Sequence, residues 1–260
     1  KQITQTLLEQ ARTRDNIEIC EYMTMVDLIS DDNICGGVII MDEQNEVYPV
    51  HASNVVLACG GLGGLYKNSS NFPHIAGDGL GIAMKHQVVL EHLDYIQIHP
   101  TTLYSHKPGR RFLISESVRG EGARLYDKNM NRFVNELLPR DLLSQKIHEQ
   151  MAKDGTDFVW EDLRTIPAET LRHHFPNIVE HCREMGYDVF KECIPVVPAQ
   201  HYFMGGVKVD YQSRSSMENL YVVGEAACNG VHGKNRLASN SLLESLVFAR
   251  RAAQDMAEHD

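Results

Sequence analysis

Several patterns that would assign this chain to a large functional class are missing. No stretch approaches the ~20 consecutive apolar residues of a membrane-spanning helix. No run of Lys and Arg is longer than a pair, Arg110–Arg111 or Arg250–Arg251. With a net charge of −10 and a pI near 5.7, that scarcity argues against nucleic acid as a partner, because phosphate binding needs clustered cations. The opening KQITQTLLEQARTRDN is polar and helical in pattern, unlike a secretory signal. None of Cys20, Cys35, Cys59, Cys182, Cys193 and Cys228 forms a CxxC pair, and His173–His174 is a lone His doublet. Zinc sites want closely spaced ligand pairs, and adjacent residues on a helix point apart. The expectation is therefore reduced core thiols, a solvated His-bearing helix face, no metal and a cytoplasmic location. GxGxxG, the dinucleotide fingerprint, is also absent; CGGLGG and GDGLG come near it and fail.

What is present is ordinary globular material. The chain has 260 residues, 43% hydrophobic and 23% charged, enough to bury a sizeable core in one or two domains. A helix is expected from Lys1 to about Arg14, then two extended pieces, IEICEYM and VDLI. A strand, a polar turn at Asp42–Glu46 and a second strand follow. The apolar run Val55–Ala58 reads as a buried strand feeding a glycine turn, and Asp78 stands before a helix as an N-cap. From about Gln97 to Gln200 the chain is richer in charge, His and Pro, with helices expected over Arg140–Lys153 and Ala168–Met185. A glycine-punctuated β pattern then returns from Tyr202. The chain closes on an amphipathic helix from Ser241, with Leu243, Leu246 and Val247 among its apolar positions. The fold class expected is α/β, α+β overall. Residues 1–96 and 202–260 form one discontinuous domain, and residues 97–201 a second, α+β domain inserted into it. Ligand clefts favour such boundaries.

Arg236 sits in HGKNRLASNS, a segment too polar and glycine-rich for a core. Ser239, Asn240 and Ser241 then supply good helix-capping side chains. A helix N-terminus there is a ready site for an anion or a carbonyl oxygen; a plain capped helix explains the same residues. His99, Arg140 and His201 are each unremarkable alone. Together with Arg236 they make a plausible cationic pocket for two carboxylates, since the planar guanidinium binds carboxylate bidentately. Spacing alone does not show that they converge.

Six segments, QIHPTTLY, SESVRGEGARL, LLPRDLL, AQHYFMGGV, LYVVGEAACNGVHG and NRLASNSLLESLVFAR, occur in this order. Together they resemble the flavoprotein family of succinate dehydrogenase, fumarate reductase and L-aspartate oxidase. Within that family, ASNSLLE and the Pro before Arg140 look like the aspartate-oxidising branch. The resemblance implies a partial Rossmann-like FAD-binding domain interrupted by the capping domain, with non-covalent FAD taking hydride from a small dicarboxylate, L-aspartate or the succinate–fumarate pair. The product from aspartate would be iminoaspartate, feeding quinolinate and NAD synthesis, with oxygen or fumarate as electron acceptor and quinolinate synthase as a possible pathway partner. The family likeness places the substrate against His99, Ser115, Glu116, His201 and Arg236, with Arg140 catalytic. FAD would meet Thr24, Met25, Asp78, Glu225, Asn240, Ser241 and Leu242. The family's glycine-fingerprint unit and its C-terminal helical domain are not found in this sequence, so the chain is expected to be a central portion of the pattern. Two alternatives stay open: a fumarate reductase or succinate dehydrogenase flavoprotein, or a catalytically incompetent piece that only binds a dicarboxylate. Lys234, where Ala is usual, is expected to add charge near Arg236.

Overall fold

The computed structural model describes residues 2–259, in two compact units. The first comprises the chain up to Val55 together with Met217–Leu220. It opens with α1 (Gln2–Arg12), which buries none of its residues. The segment 17–23 is not a strand: Ile17, Ile19 and Tyr22 are exposed, and Tyr22 has a φ of 62°. Its apolar residues therefore lack a sheet to join. Strands β1 (Thr24–Asp31), β2 (Ile34–Met41) and β3 (Val47–His51) form an antiparallel sheet in that order. Asp32 and Asn33 turn β1 into β2 with φ of 46° and 63°, the left-handed pair that suits a tight hairpin. Asp42 Oδ1 accepts the amides of Gln44 and Glu46 at 2.9 Å each, which closes the expected polar turn.

The second unit runs from Val56 to Ser216 and from Tyr221 onward. β4 (Val55–Leu57) buries Val55 and Leu57 but leaves Val56 exposed, so it is one-sided rather than the fully buried strand expected. The glycine turn after it packs tightly. A Cβ on Gly61 would lie 2.7 Å from Glu225 Oε1, and one on Gly63 2.4 Å from Gln200 Oε1. These glycines admit neighbouring side chains. α2 (Asp78–Lys85) is capped by Gly77, with Asp78 its first helical residue and not its N-cap.

The centre is a five-stranded sheet. Its strands are β6 (Ile96–Leu103), β7 (Phe112–Leu113), β8 (Arg124–Tyr126), β9 (Val159–Asp162) and β10 (Ile194–Phe203), in the order β7-β6-β10-β9-β8. Helices α3 (Glu116–Gly120), α4 (Arg140–Asp154), α5 (Ala168–His174) and α6 (Pro176–Glu184) accompany it. Ile114, Val118, Leu125, Leu143, Ile147, Leu171, Cys182, Ile194 and Val196 belong to one buried cluster. The single helix expected over Ala168–Met185 is two helices, because Pro176 offers no amide and pushes Phe175 out of helical geometry. His173 and His174 are exposed beside Glu169 and Glu121. Four cysteines are buried, whereas Cys20 and Cys59 are exposed; all six are free thiols.

β5 (Leu90–Glu91), β11 (Gly206–Lys208) and β13 (Ala227–Cys228) form a small sheet in the order β13-β11-β5, and β12 (Leu220–Val222) pairs with β4. The last helix, α7 (Asn240–His259), buries Glu244, Phe248, Ala252 and Asp255. Asp255 explains that choice of face. It takes a bidentate ion pair from Arg214 and a 2.7 Å hydrogen bond from the Tyr221 hydroxyl. Leu243, Leu246 and Val247, apolar positions of the expected amphipathic helix, are exposed, Leu243 by 61%.

Candidate active site

A cavity of about 720 Å³ in the second unit is lined by His99, Ser115, Glu116, Arg119, Arg140, His201, Tyr202, Glu225, Arg236 and Ser241, among others. Irregularities of the central sheet set its geometry. Between β10 and β6 the pairs Gln200↔Ile98 and Tyr202↔Gln97 leave His201 as an extra residue, a β-bulge. A second irregularity falls where Pro100, which has no amide to donate, interrupts β6 next to His99. The two imidazoles meet edge to face, with ring centroids 5.4 Å apart.

Arg140 is the first residue of α4, where the helix dipole opposes a cation. Two acceptors offset this. Its Nε donates to Glu116 Oε2 at 2.7 Å, and one terminal nitrogen donates to Gln97 Oε1 at 3.0 Å. Gln97 in turn donates to the Arg236 carbonyl at 2.7 Å and to Asn235 Oδ1 at 2.9 Å. One buried amide thereby fixes both arginines. Arg236 is only 5% exposed, against the expectation of a segment too polar to be core. Its guanidinium lies over the Tyr202 ring at 4.4 Å, a face that tolerates a buried cation. Arg236 Nε and His99 Nε2 are both buried without a hydrogen-bond partner. Buried polar atoms without partners are rare in folded proteins, so these two mark where a polar ligand group would sit.

The field around the imidazoles keeps them neutral. Burial, then the neighbouring His201, Arg119 and Arg140, hold His99 well below the usual imidazole range. Burial, then Arg236, Arg140 and Arg110, bring His201 down to about 3. The Ser70 hydroxyl lies 2.7 Å from His201 Nδ1, and His99 Nδ1 lies 3.0 Å from the Thr101 carbonyl oxygen and 3.2 Å from the Thr101 amide nitrogen. Both rings are thus engaged through Nδ1, and His99 Nε2 has no protein partner. Between pH 6.5 and about 3 the unfolded chain binds protons at His201 that the folded chain refuses. Stability from this group is complete above pH 6.5 and is lost as pH falls. Chemical denaturation from pH 7.5 to 5 should show a falling midpoint, with a shallower fall in His201→Asn.

Glu225 sits on a 3-10 turn, accepts the Phe203 amide at 2.9 Å and is pushed up to about 7 by burial. Ser115 caps α3 by accepting the Ser117 amide, and Glu116 is half-exposed. Five of the expected site residues lie elsewhere. Thr24 and Met25 begin β1 of the first unit. Asp78 opens α2, Leu242 is on the exposed surface of α7, and Asn240 lines a different cavity beside Tyr211 and Phe248. Lys234 also turns away from the site, its ammonium 5.7 Å above the Tyr95 ring. Residues that sequence reasoning passed over include Gln97, Arg119, Ser70 and Tyr202. Gln97, Arg119 and Tyr202 stand inside the motifs quoted above, yet only tertiary contacts give them a function. Arg119 is fully buried, donating to Thr101 Oγ1 at 2.6 Å and to the Glu136 carbonyl at 3.2 Å.

A mixed α/β scaffold with a cation-rich cavity beside a glycine turn is what a flavin-binding protein presents, and the chain belongs to the FAD binding domain family, matching it over residues 1–242. Among curated relatives it is 50% identical over 257 residues to L-aspartate oxidase of Clostridium perfringens, covering 98% of this chain and 58% of that protein. It is 41% identical over 265 residues to L-aspartate oxidase of Neisseria meningitidis, covering 98% and 53%. The chain thus spans little more than half the length of these relatives. Among solved structures, quinol fumarate reductase of E. coli superposes with a TM-score of 0.87 at 32% identity, covering 98% of this chain and 47% of that one.

Two features of the site fit FAD. The cavity is several times larger than a four-carbon dicarboxylate, leaving room for a second, flat group. The start of the 20-residue helix α7 stands in its wall at Ser241. The first N–H groups of a helix have no partner within it and suit a carbonyl or anion.

Proposed function

We propose that this chain forms the substrate cavity of an FAD-dependent L-aspartate oxidase, yielding iminoaspartate for quinolinate and NAD synthesis. One observation carries the proposal: Arg140, Arg236, His99 and His201 converge on one cavity, with Arg236 Nε and His99 Nε2 buried and unpartnered. Two guanidinium groups, flanked by two imidazoles, match the two carboxylates of aspartate. The names of the curated relatives support the choice of substrate.

In this proposal Arg236 and the two neutral imidazoles hold the carboxylates, with the Ser115 hydroxyl beside them. Fixing both ends of a four-carbon acid orients its α-carbon and removes the entropy of search from the reacting step. Arg140 offsets the negative charge of the substrate carboxylates held beside it, and Glu116, ion-paired to it and half-exposed, connects that guanidinium to solvent for proton exchange. FAD, when bound, supplies a two-electron hydride acceptor. Asp78, Glu225, Asn240, Ser241 and Leu242 are its proposed contacts in the second unit. The α7 N-terminus would stabilise negative charge on the reduced ring. The proposed division assigns residues 1–96 and 202–260 to the FAD-binding domain and 97–201 to the cap. The central sheet, whose strands fall between Ile96 and Phe203, supports it. A cytoplasmic location is likewise proposed; no helix among the described residues is long and apolar enough to cross a membrane.

Anaerobic addition of L-aspartate to the FAD-loaded protein should bleach the oxidised-flavin absorbance, with succinate leaving it unchanged. Bleaching by succinate and not by aspartate would replace this function with that of a succinate–fumarate flavoprotein.

A further inference from the structure

Glu161 is the most anomalous charged side chain in the second unit. It lies on β9, paired in register with Ile194 of β10 and Leu125 of β8. It is 0% exposed, and neither carboxylate oxygen has a hydrogen-bond partner. Its surroundings are the apolar cluster of Leu125, Val159, Cys182 and Ile194. An ionised carboxylate without hydrogen bonds in such a place is strongly disfavoured, and a leucine would pack there without that penalty. The charged and titratable groups coupled to it come from three segments. Arg119 on α3 and Glu136 in the loop before α4 act on it through their charge, and it acts in turn on the Cys182 thiol of α6. Glu136 is already held by Arg132 at 2.6 Å and Arg124 at 3.7 Å. Arg119 has no carboxylate so close, and it also lines the active cavity. Glu161 is the foremost acid acting on Arg119.

We propose that Glu161 is a positioning residue that controls, through Arg119, how strongly the cavity attracts a dicarboxylate: proton-bearing, it leaves the full charge of Arg119 to the cavity, and ionised, it withdraws part of it. The proposal rests on the dicarboxylate site described above. Burial pushes the Glu161 carboxyl up to about 7, so its charge changes in the neutral range. The direction follows from linkage. A dianion beside Arg119 favours the protonated form, so binding takes up a proton near pH 7, and affinity falls as pH rises through that value. Glu225, in the cavity wall and also brought to about 7, adds a parallel dependence. The informative quantity is therefore the difference between wild type and a Glu161 variant.

Calorimetric titration with succinate at pH 6 and pH 8, in two buffers of different ionisation heat, tests this. Wild-type affinity should fall roughly tenfold across that interval, with net proton uptake on binding, given Coulomb energies of this order over such distances. In Glu161→Gln the fall should shrink by about threefold or more, with less proton uptake, while affinity at pH 6 stays near the wild-type value. Glu161→Leu, which suits a buried strand, serves if the Gln variant folds poorly. Superimposable pH profiles in wild type and variant would overturn the proposal. A second measurement stands apart from the site's function: the infrared carbonyl band of protonated carboxylic acid should titrate near neutrality in wild type and lose the Glu161 share of its intensity in Glu161→Gln, leaving that of Glu225. If no such band distinguishes the two proteins, Glu161 is not the proton holder, even where succinate binds. If succinate fails to bind wild type at either pH, the dicarboxylate site and this proposal fall together.

Discussion

Arg236→Ala should lower kcat/KM for L-aspartate about 30- to 1,000-fold, the equivalent of roughly 2–4 kcal/mol for removing one partner of a buried, charge-assisted carboxylate contact. The size follows from its setting. Arg236 is buried against Tyr202, its Nε has no protein partner, and its backbone is fixed by Gln97. A guanidinium already dehydrated and oriented loses little on meeting a carboxylate, so its deletion removes nearly all of the contact's worth. Arg236→Lys should recover part of the loss, since it restores charge but not the planar fork. Gln97→Leu should be weaker but informative, because it frees Arg140 and the Arg236 backbone together. An unchanged kcat/KM in Arg236→Ala, measured by steady-state oxidation of aspartate, would remove Arg236 from substrate binding.

Gly206→Ala should destabilise the fold by about 3 kcal/mol or more, read as a shifted midpoint in chemical denaturation. Gly206 has a φ of 138°, and a Cβ there would stand 2.3 Å from the Ala226 carbonyl oxygen and 2.9 Å from its carbon. No rotamer relieves a clash between a Cβ and a neighbouring segment's backbone. The strain would fall on the turn Gly224–Ala226, which carries Glu225 into the cavity wall. Gly186 separates the two causes. Its φ is 92°, but a Cβ there would meet nothing within 4 Å, so Gly186→Ala should cost only about 1–2 kcal/mol. Equal losses in the two variants would mean that backbone conformation, not the close approach of β11 to Ala226, is what requires Gly206.

The sequence by itself determined what local chemistry controls. Asp42 fixes its turn with its own carboxylate, α4 begins where Pro139 ends extended backbone, and the apolar periodicity of the last twenty residues specifies a helix. His99, Arg140, His201 and Arg236, which line the cavity, were legible only as a group within ordered motifs, since the two histidines and Arg140 are unremarkable alone. Tertiary structure decided everything that depends on a partner distant in sequence. Periodicity marked Leu243, Leu246 and Val247 as apolar positions of α7 without showing what they meet; the buried face carries Glu244, Phe248, Ala252 and Asp255, the last held by Arg214 and Tyr221. Pattern could not show that His201 would be the extra residue of a bulge, that Gln97 would bridge two arginines, or that Arg119 would be buried in the cavity wall with Glu161 as the foremost acid acting on it. Each depends on strand register and on charges brought together from segments distant in sequence. A sequence carries the spacing of its own residues along a helix or strand; the energy of a buried charge depends on which other charges the fold sets beside it.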